Sequence, residues 1–263
     1  MRSLSIASTG MLAQQLNVEV ISNNIANMNT TGFKRQRAEF QDLLYQNVER
    51  MGAASSDQGT IIPTGIQIGT GVKTGSVYRI MEQGNLTQTE NTYDLAVQGK
   101  GFFRVLLPSG ETAYTRAGAF AMSPQGQIVT SDGYVVQPAI TIPNDTTGVT
   151  VNAQGQVSVK TAGQTAETIV GPLDLANFPN EAGLEGMGSN LFLETAASGT
   201  AQTGTPGSTG YGTIAQGFLE TSNVNAVAEI TSLITAQRAY EMNSKVITAS
   251  DEMLQETSRL GHG

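Results

Sequence analysis

The 263-residue chain has no cysteine and no tryptophan, and it has a single histidine. Without cysteine there is no disulfide frame, no thiolate metal site and no cysteine nucleophile, while reducing and oxidising compartments both stay open. The one histidine, His262, stands in a terminal Gly-His-Gly where the chain is expected to fray, so a positioned general base would need other residues. Charge is also scarce: 14% of residues are Asp, Glu, Lys or Arg, against roughly 25% in an average globular protein. With 14 basic and 22 acidic residues the formal charge is −8, which argues against neutralising a phosphate backbone and excludes nucleic acid as a partner. No run approaches the ~20 apolar residues of a membrane span, and the opening residues lack a charged region followed by an apolar core. The sequence therefore predicts a protein that is not membrane-embedded and carries no cleavable secretion signal.

Catalytic motifs are equally thin. Glu181 and Glu185 lie in a glycine-rich segment with nothing to fix their separation, whereas paired-carboxylate chemistry needs a set distance. The stretch Gly69-Thr-Gly71-Val-Lys73-Thr-Gly75 is neither a Walker loop nor G-x-G-x-x-G, and no helical pattern follows it. Asp132-Gly133 and Asp145 lack the spacing of a calcium loop. No catalytic residue, cofactor or metal ligand is assigned.

What the chain does have is helical periodicity at both ends. Alternating steps of three and four residues give Leu4, Ala7, Met11, Gln14, Val18, Ile21, Ile25 and Met28, a seam of about four heptads that only Gln14 interrupts. The spacing predicts a helix from Ser3 to Met28, closed by Asn27, Asn29 and Gly32. A second helix is expected from Val224 to Leu260, with Ser222, Asn223 and Asn225 as candidate caps. Its apolar stripe is broader, and includes Val227, Ile230, Leu233, Ile234, Tyr240, Ile247 and Leu254, with Gln237 set into it. So narrow a seam leaves apolar side chains facing water until another helix covers it.

Between the helices the pattern changes. Residues 33–50 fit a short helix or an extended arm, and 51–75 read as a long loop or β-arm rich in glycine. Short β-branched and aromatic runs follow, from Val77 to Leu193, separated by turn signals. Two turns are alike, Pro124-Gln-Gly126-Gln-Ile128 and Ala153-Gln-Gly155-Gln-Val157. Thr195 to Gly217 reads as an exposed return linker. The fold class expected is α+β: paired, coiled-coil-like terminal helices with an inserted, mainly antiparallel β domain and an extended β-arm. Its parts are 1–30, 31–80, 81–217 and 218–263. Lys34, Arg35 and Arg37 read as a solvated face or as partners for acids of another subunit. On pattern alone the helices fit an assembling subunit, a hairpin lying on its own β domain, or a stalk for a secreted binding domain.

The segment Asn24-Ile-Ala-Asn27-Met-Asn-Thr30-Thr-Gly32-Phe33-Lys34 resembles the N-terminal signature of the bacterial flagellar rod and hook axial proteins. Leu219-Glu-Thr-Ser222-Asn223-Val-Asn225, Gln237-Arg238-Ala-Tyr240-Glu241 and Asp251-Glu-Met253-Leu254 resemble its C-terminal counterpart. Gln67 to Val72, Asp94 to Phe103 and Tyr114 to Gly118 are most similar to the distal-rod branch of that family. The resemblance implies a structural subunit and not an enzyme, forming a rigid helical homopolymer in the basal body that spans the periplasm and carries torque. It further implies as partners the proximal rod and hook proteins, the surrounding L- and P-rings, and the flagellar type III export apparatus.

Overall fold

The computed structural model of the protein describes residues 2–49, 64–164 and 166–261. The greater part of the expected arm, 51–63, and His262 lie outside the described residues. The chain divides into two compact units, one formed by Met1–Ile25, Gln36–Tyr78 and Ala226–Gly263, the other by Ala26–Arg35 and Arg79–Asn225. Among the described residues no helix is long and apolar enough to cross a membrane.

The first unit holds both long helices. Helix α1 spans Arg2–Ala26 and helix α2 spans Ala226–Gly261. Glu229 in the first turn of α2 and Arg259 in its last turn complement the helix dipole. The unit also contains strands β1 (Gln36–Asp42), β2 (Tyr45–Glu49), β3 (Ile66–Gly69) and β4 (Val72–Arg79). β1 pairs with β4 and β2 with β3, the latter antiparallel with Tyr45 opposite Gly69 and Gln46 opposite Ile68. Leu43 N–H to Gly71 O (2.8 Å) and Thr70 N–H to Leu44 O (3.2 Å) join the two pairs into one ribbon. Residues 36–49, which periodicity left between helix and arm, are therefore mostly strand. The ribbon rests on α1 at Thr9: its hydroxyl accepts the Val72 N–H at 3.3 Å. Gly71, with φ of 126°, lies so close that a Cβ would overlap that hydroxyl oxygen.

The second unit is the β domain. Its central strand, Phe102–Leu106, pairs along one edge with Thr112–Thr115. Along the other edge it pairs with Val135–Gln137 and, further back, with Leu175–Asn177. Thr146–Val151, Gln156–Thr161 and Thr168–Pro172 form a separate three-stranded antiparallel sheet. Side chains of both sheets meet in one core that includes Phe103, Phe120, Val136, Ile142, Val157 and Leu175. Phe102 packs edge-to-face on Phe178 and Phe192 in a second cluster. Strand alternation places such residues inward at every second position, which is why short runs suffice to build this core.

The two similar turns are hairpins of the same construction. Gly126 and Gly155 have φ of 79° and 78°. Each glycine carbonyl then accepts an N–H at 2.7 Å, from Ile142 and Leu173 respectively. Ile140 to Ile142, expected as a strand, instead touches the sheet through one bridge, Gln127 to Thr141, with Ile140 and Ile142 turned into the core. The expected linker at 195–217 is also more ordered than its composition implies. Thr213–Gln216 pairs with Leu95–Gln98, and Ile214 is buried in the core. Its glycines permit this close threading: a Cβ at Gly212 would strike the Gln98 carbonyl.

Gly118 is held in the same way. Its carbonyl accepts the Leu95 and Phe120 N–H groups, and a Cβ would overlap the Leu95 carbonyl oxygen. Gly118→Ala should lower the stability of the β domain by about 3 kcal/mol, as overpacking of a rigid backbone contact does. Urea unfolding checks this, a lower midpoint at unchanged slope being the expected outcome.

Candidate functional site

Three contacts pin α1 to α2. The Ser3 and Ser250 hydroxyls are 3.2 Å apart. A Cβ on Gly10 would lie 2.9 Å from the Asn243 amide nitrogen. Asn24 Nδ2 donates to Glu229 Oε2 at 3.2 Å. Every seven or fourteen residues gained on α1 are matched by the same number lost on α2, so the helices run antiparallel in heptad register. The inner row of α2 includes Glu229, Ala236, Asn243 and Ser250, and that of α1 Ser3, Gly10 and Asn24. These residues are small or polar, which brings the helix backbones close but buries little apolar area.

The larger side chains are distributed differently. On α1, Ala7 and Ile21 are buried, whereas Leu4, Met11, Gln14, Val18 and Ile25 are half-buried; Met28, beyond the helix end, is exposed. On α2, Leu233 and Ile247 are half-buried, while Val227, Ile230, Ile234, Gln237, Tyr240 and Leu254 are exposed. Val227 is 76% and Ile234 46% exposed. An open groove of about 630 Å³ runs between the helices, lined by Gln15, Val18 and Glu19 on α1 and by Gln237, Tyr240 and Glu241 on α2.

The signature segment Asn24 to Lys34 works through its polar atoms. Asn24 is buried, and its side-chain amide brackets Gln36, donating to the carbonyl and accepting the N–H, both at 2.8 Å. One side chain thus stands in for a strand partner at the root of the ribbon. In the β-domain unit, the Thr30 hydroxyl donates to Asn27 Oδ1 at 3.1 Å, and the Phe33 N–H closes a turn onto the Thr30 carbonyl at 3.3 Å. Gly32, buried with φ of 69°, donates to the Glu220 carbonyl at 2.8 Å. A Cβ there would sit 2.6 Å from the Ala117 nitrogen.

Lys34 does not belong to a solvated basic face. Its side chain is 1% exposed, and its ammonium donates to the Glu220 carboxylate and to the Glu82 carbonyl. Arg116 closes on the other Glu220 oxygen at 3.4 Å, while its terminal nitrogens donate to the carbonyls of Gly101 and Gly99. Burial lowers the pKa of Lys34 below its ordinary 10.5, outweighing the upward pull of Glu220. Arg37 is exposed; it pairs with Glu39 at 2.7 Å and stacks over Tyr78. Asn223, read in the sequence as a helix cap, instead accepts the Arg35 N–H and donates to the carbonyls of Ile80 and Glu82. Glu220 was invisible in the sequence as a functional group, because one acid in a short strand run has no periodicity to mark its burial. Glu181 and Glu185 fall in a short 3-10 turn and an edge strand. No cluster of His, Cys, Asp and Glu suited to a metal occurs among the described residues.

Three family models match the chain: flagella basal body rod protein over residues 4–34, the flagellar hook protein FlgE/F/G D1 domain over 96–159, and flagellar basal body rod FlgEFG protein C-terminal over 215–260. The flagellar basal-body rod protein FlgG of Caulobacter vibrioides is 65% identical over 99% of both chains. The chain belongs to the FlgG family of flagellar basal-body rod proteins. The FlgG relative from Agrobacterium fabrum is 53% identical over 96% of this chain and 97% of its own, and that from Bacillus subtilis 41% over 99% of each. As a FlgG-family member, the chain is a structural protein of the flagellar basal-body rod. The matched segment 4–34 contains Asn24, Gly32 and Lys34, and 215–260 contains Glu220 and Glu229, so the family models cover both polar junctions.

Glu220→Gln should cost about 3–5 kcal/mol, because it leaves Lys34 and Arg116 buried together without their counter-charge. Denaturant unfolding of the β domain measures it. Lys34 also sets a pH trend. Between its lowered pKa and 10.5 the unfolded chain binds more protons than the folded one, so this group's contribution to stability rises with pH over that interval. The rise should vanish in Lys34→Met.

Proposed function

We propose that the chain polymerises into the distal segment of the rod, a rigid helical tube that carries torque from the motor to the hook. The observation that carries this reading is the inversion on α2: its inner row is small and polar, while Val227, Ile230, Met242, Met253 and Leu260 are between 49% and 77% exposed. So many large apolar side chains left exposed along one helix favour a protein contact in a chain with so little surface charge. Neighbouring copies bury them, and the Leu4, Met11, Val18 and Ile25 row beside the open groove joins the same surface. The terminal segments, 1–30 and 218–263, form the assembly region, and the β domain, residues 81–217, has an apolar core of its own.

The partners follow from the same reading: other copies of the chain, the proximal rod proteins below and the hook protein above, the L- and P-rings around it, and the type III apparatus that exports it. Residues 51–75 act as an arm between copies that limits bending, because close-packed repeated interfaces resist shape change. The role is structural, with no catalytic step.

Two measurements test this function. In hydrogen exchange on the purified monomer, α1 and α2 should be weakly protected relative to the β domain, and should gain protection on polymerisation. Full protection in a verified monomer would instead mean a self-sufficient helical hairpin. Deletion of residues 51–65 should yield rods that bend visibly in electron micrographs; rods of unchanged stiffness would remove the arm from the account.

A further inference from the structure

Helix α2 carries two apolar strips that α1 leaves uncovered. The first is Val227, Ile230 and Ile234 near its start; the second is Met242, Val246, Ala249 and Met253 toward its end. The large side chains among them are between 46% and 76% exposed, and Ala249 is exposed with them. Spacings of three and four residues make each set one continuous strip of helix surface. At 3.6 residues per turn the first lies about a quarter-turn to one side of the inner row of Glu229, Ala236, Asn243 and Ser250, and the second about a quarter-turn to the other side. No charged side chain interrupts either strip: Glu229 is buried in the inner row, and Lys245 and Glu252 only border the second.

The rest of the helical unit offers these strips little. On α1, Ile6 and Leu12 are the exposed large apolar residues among those described, and the interval between them puts them about 120° apart around the helix, so α1 presents no exposed strip. In the ribbon, Tyr45 and Ile68 are exposed on opposite faces, since Ile68 stands opposite Gln46. The two α2 strips suit each other. Both are helical, apolar and free of charge, and both adjoin the seam between α1 and α2, so a helix laid on either continues that seam into a further layer.

We infer that the Met242, Val246, Ala249 and Met253 strip of α2 in one copy packs against the Val227, Ile230 and Ile234 strip of α2 in the next. Because the strips lie on opposite flanks of the row that faces α1, one straight neighbour cannot cover both, and no two-fold pair uses the two together. The contact is therefore heterologous: each copy gives one strip to the neighbour on one side and the other strip to the neighbour on the opposite side. For parallel helices the strip centres, about 17 residues apart, set an axial offset of about 25 Å between copies. With that offset the contact cannot close into a ring and repeats as an open filament. The inference rests on the polymer reading above and adds which surfaces meet and at what offset.

The absence of cysteine makes the test direct. Full-length chain carrying both Ile230→Cys and Ala249→Cys is polymerised and treated with a short bis-maleimide. A ladder of covalent dimers, trimers and larger species is expected, since every copy is linked on both sides, while each single variant stays mostly monomeric. Dimer as the end product of the double variant, or efficient self-linking of Ile230→Cys alone, overturns the inference. So does a link from Ile230→Cys to Ile66→Cys of the ribbon, in mixed polymers, without the Ala249→Cys product. In parallel, Met253→Glu should raise the critical concentration for polymerisation about tenfold, because its charge is desolvated without a partner, with helix content by circular dichroism unchanged. Its first strip is intact, so at low ratio the same variant should cap growing ends and shorten polymers of the unmodified chain; unchanged lengths would count against the pairing. Sedimentation of the unmodified chain separates the two levels: if it forms no polymer the proposed function fails, whereas polymer without the ladder refutes only this strip-to-strip contact.

Discussion

A single buried carboxylate organises the β-domain unit. Glu220 is fully buried, and it gathers Lys34, Arg116 and the Gly84 N–H around its side chain while its carbonyl accepts Gly32. Segments far apart in sequence meet there, because a buried acid must find its partners or cost several kcal/mol. Arg116 extends the junction by holding the carbonyls of Gly99 and Gly101, where a looping chain has no strand partner to satisfy them. The glycines at 32, 84 and 118 are the same constraint seen from the backbone, since a Cβ at any of them would meet main-chain atoms.

In the helical unit the division is between specificity and area. Ser3, Gly10 and Asn24 against Ser250, Asn243 and Glu229 give a close, well-defined contact but little apolar burial. Of the apolar side chains, Ala7, Ala13, Val20 and Ile21 of α1 and Ala236 of α2 are buried, whereas Val227, Ile230, Ile234, Met242, Met253 and Leu260 of α2 are exposed. The intrachain contact sets the geometry of the pair, and the exposed apolar side chains are area that another surface could bury.

Much of this was legible in the sequence, and the gaps have physical causes. The helices at both ends and the antiparallel β domain between them followed from period and turn chemistry, with α1 and α2 within about two residues of their expected limits. The heptad period told where a helix would be, but not which of two adjacent rows would face its partner. The row of Ser3, Gly10 and Asn24 carries no hydrophobic signal. Lys34 looked solvated because composition marks charge and not its partner 186 residues away. Thr195 to Gly217 looked like a linker because glycines that allow close threading are indistinguishable, in one sequence, from glycines that allow mobility.

The latch between Thr9 and Gly71 has a mechanical meaning. One residue later, Gly10 abuts Asn243, so α1 is gripped by the ribbon and by α2 within a single helical turn. A helix held on one side can roll about its own axis; one clamped from two directions at the same level cannot do so without breaking a contact. Twist entering at either end of α1 is therefore handed to its neighbours as displacement instead of being absorbed as rotation in place, which is the behaviour of a keyed shaft.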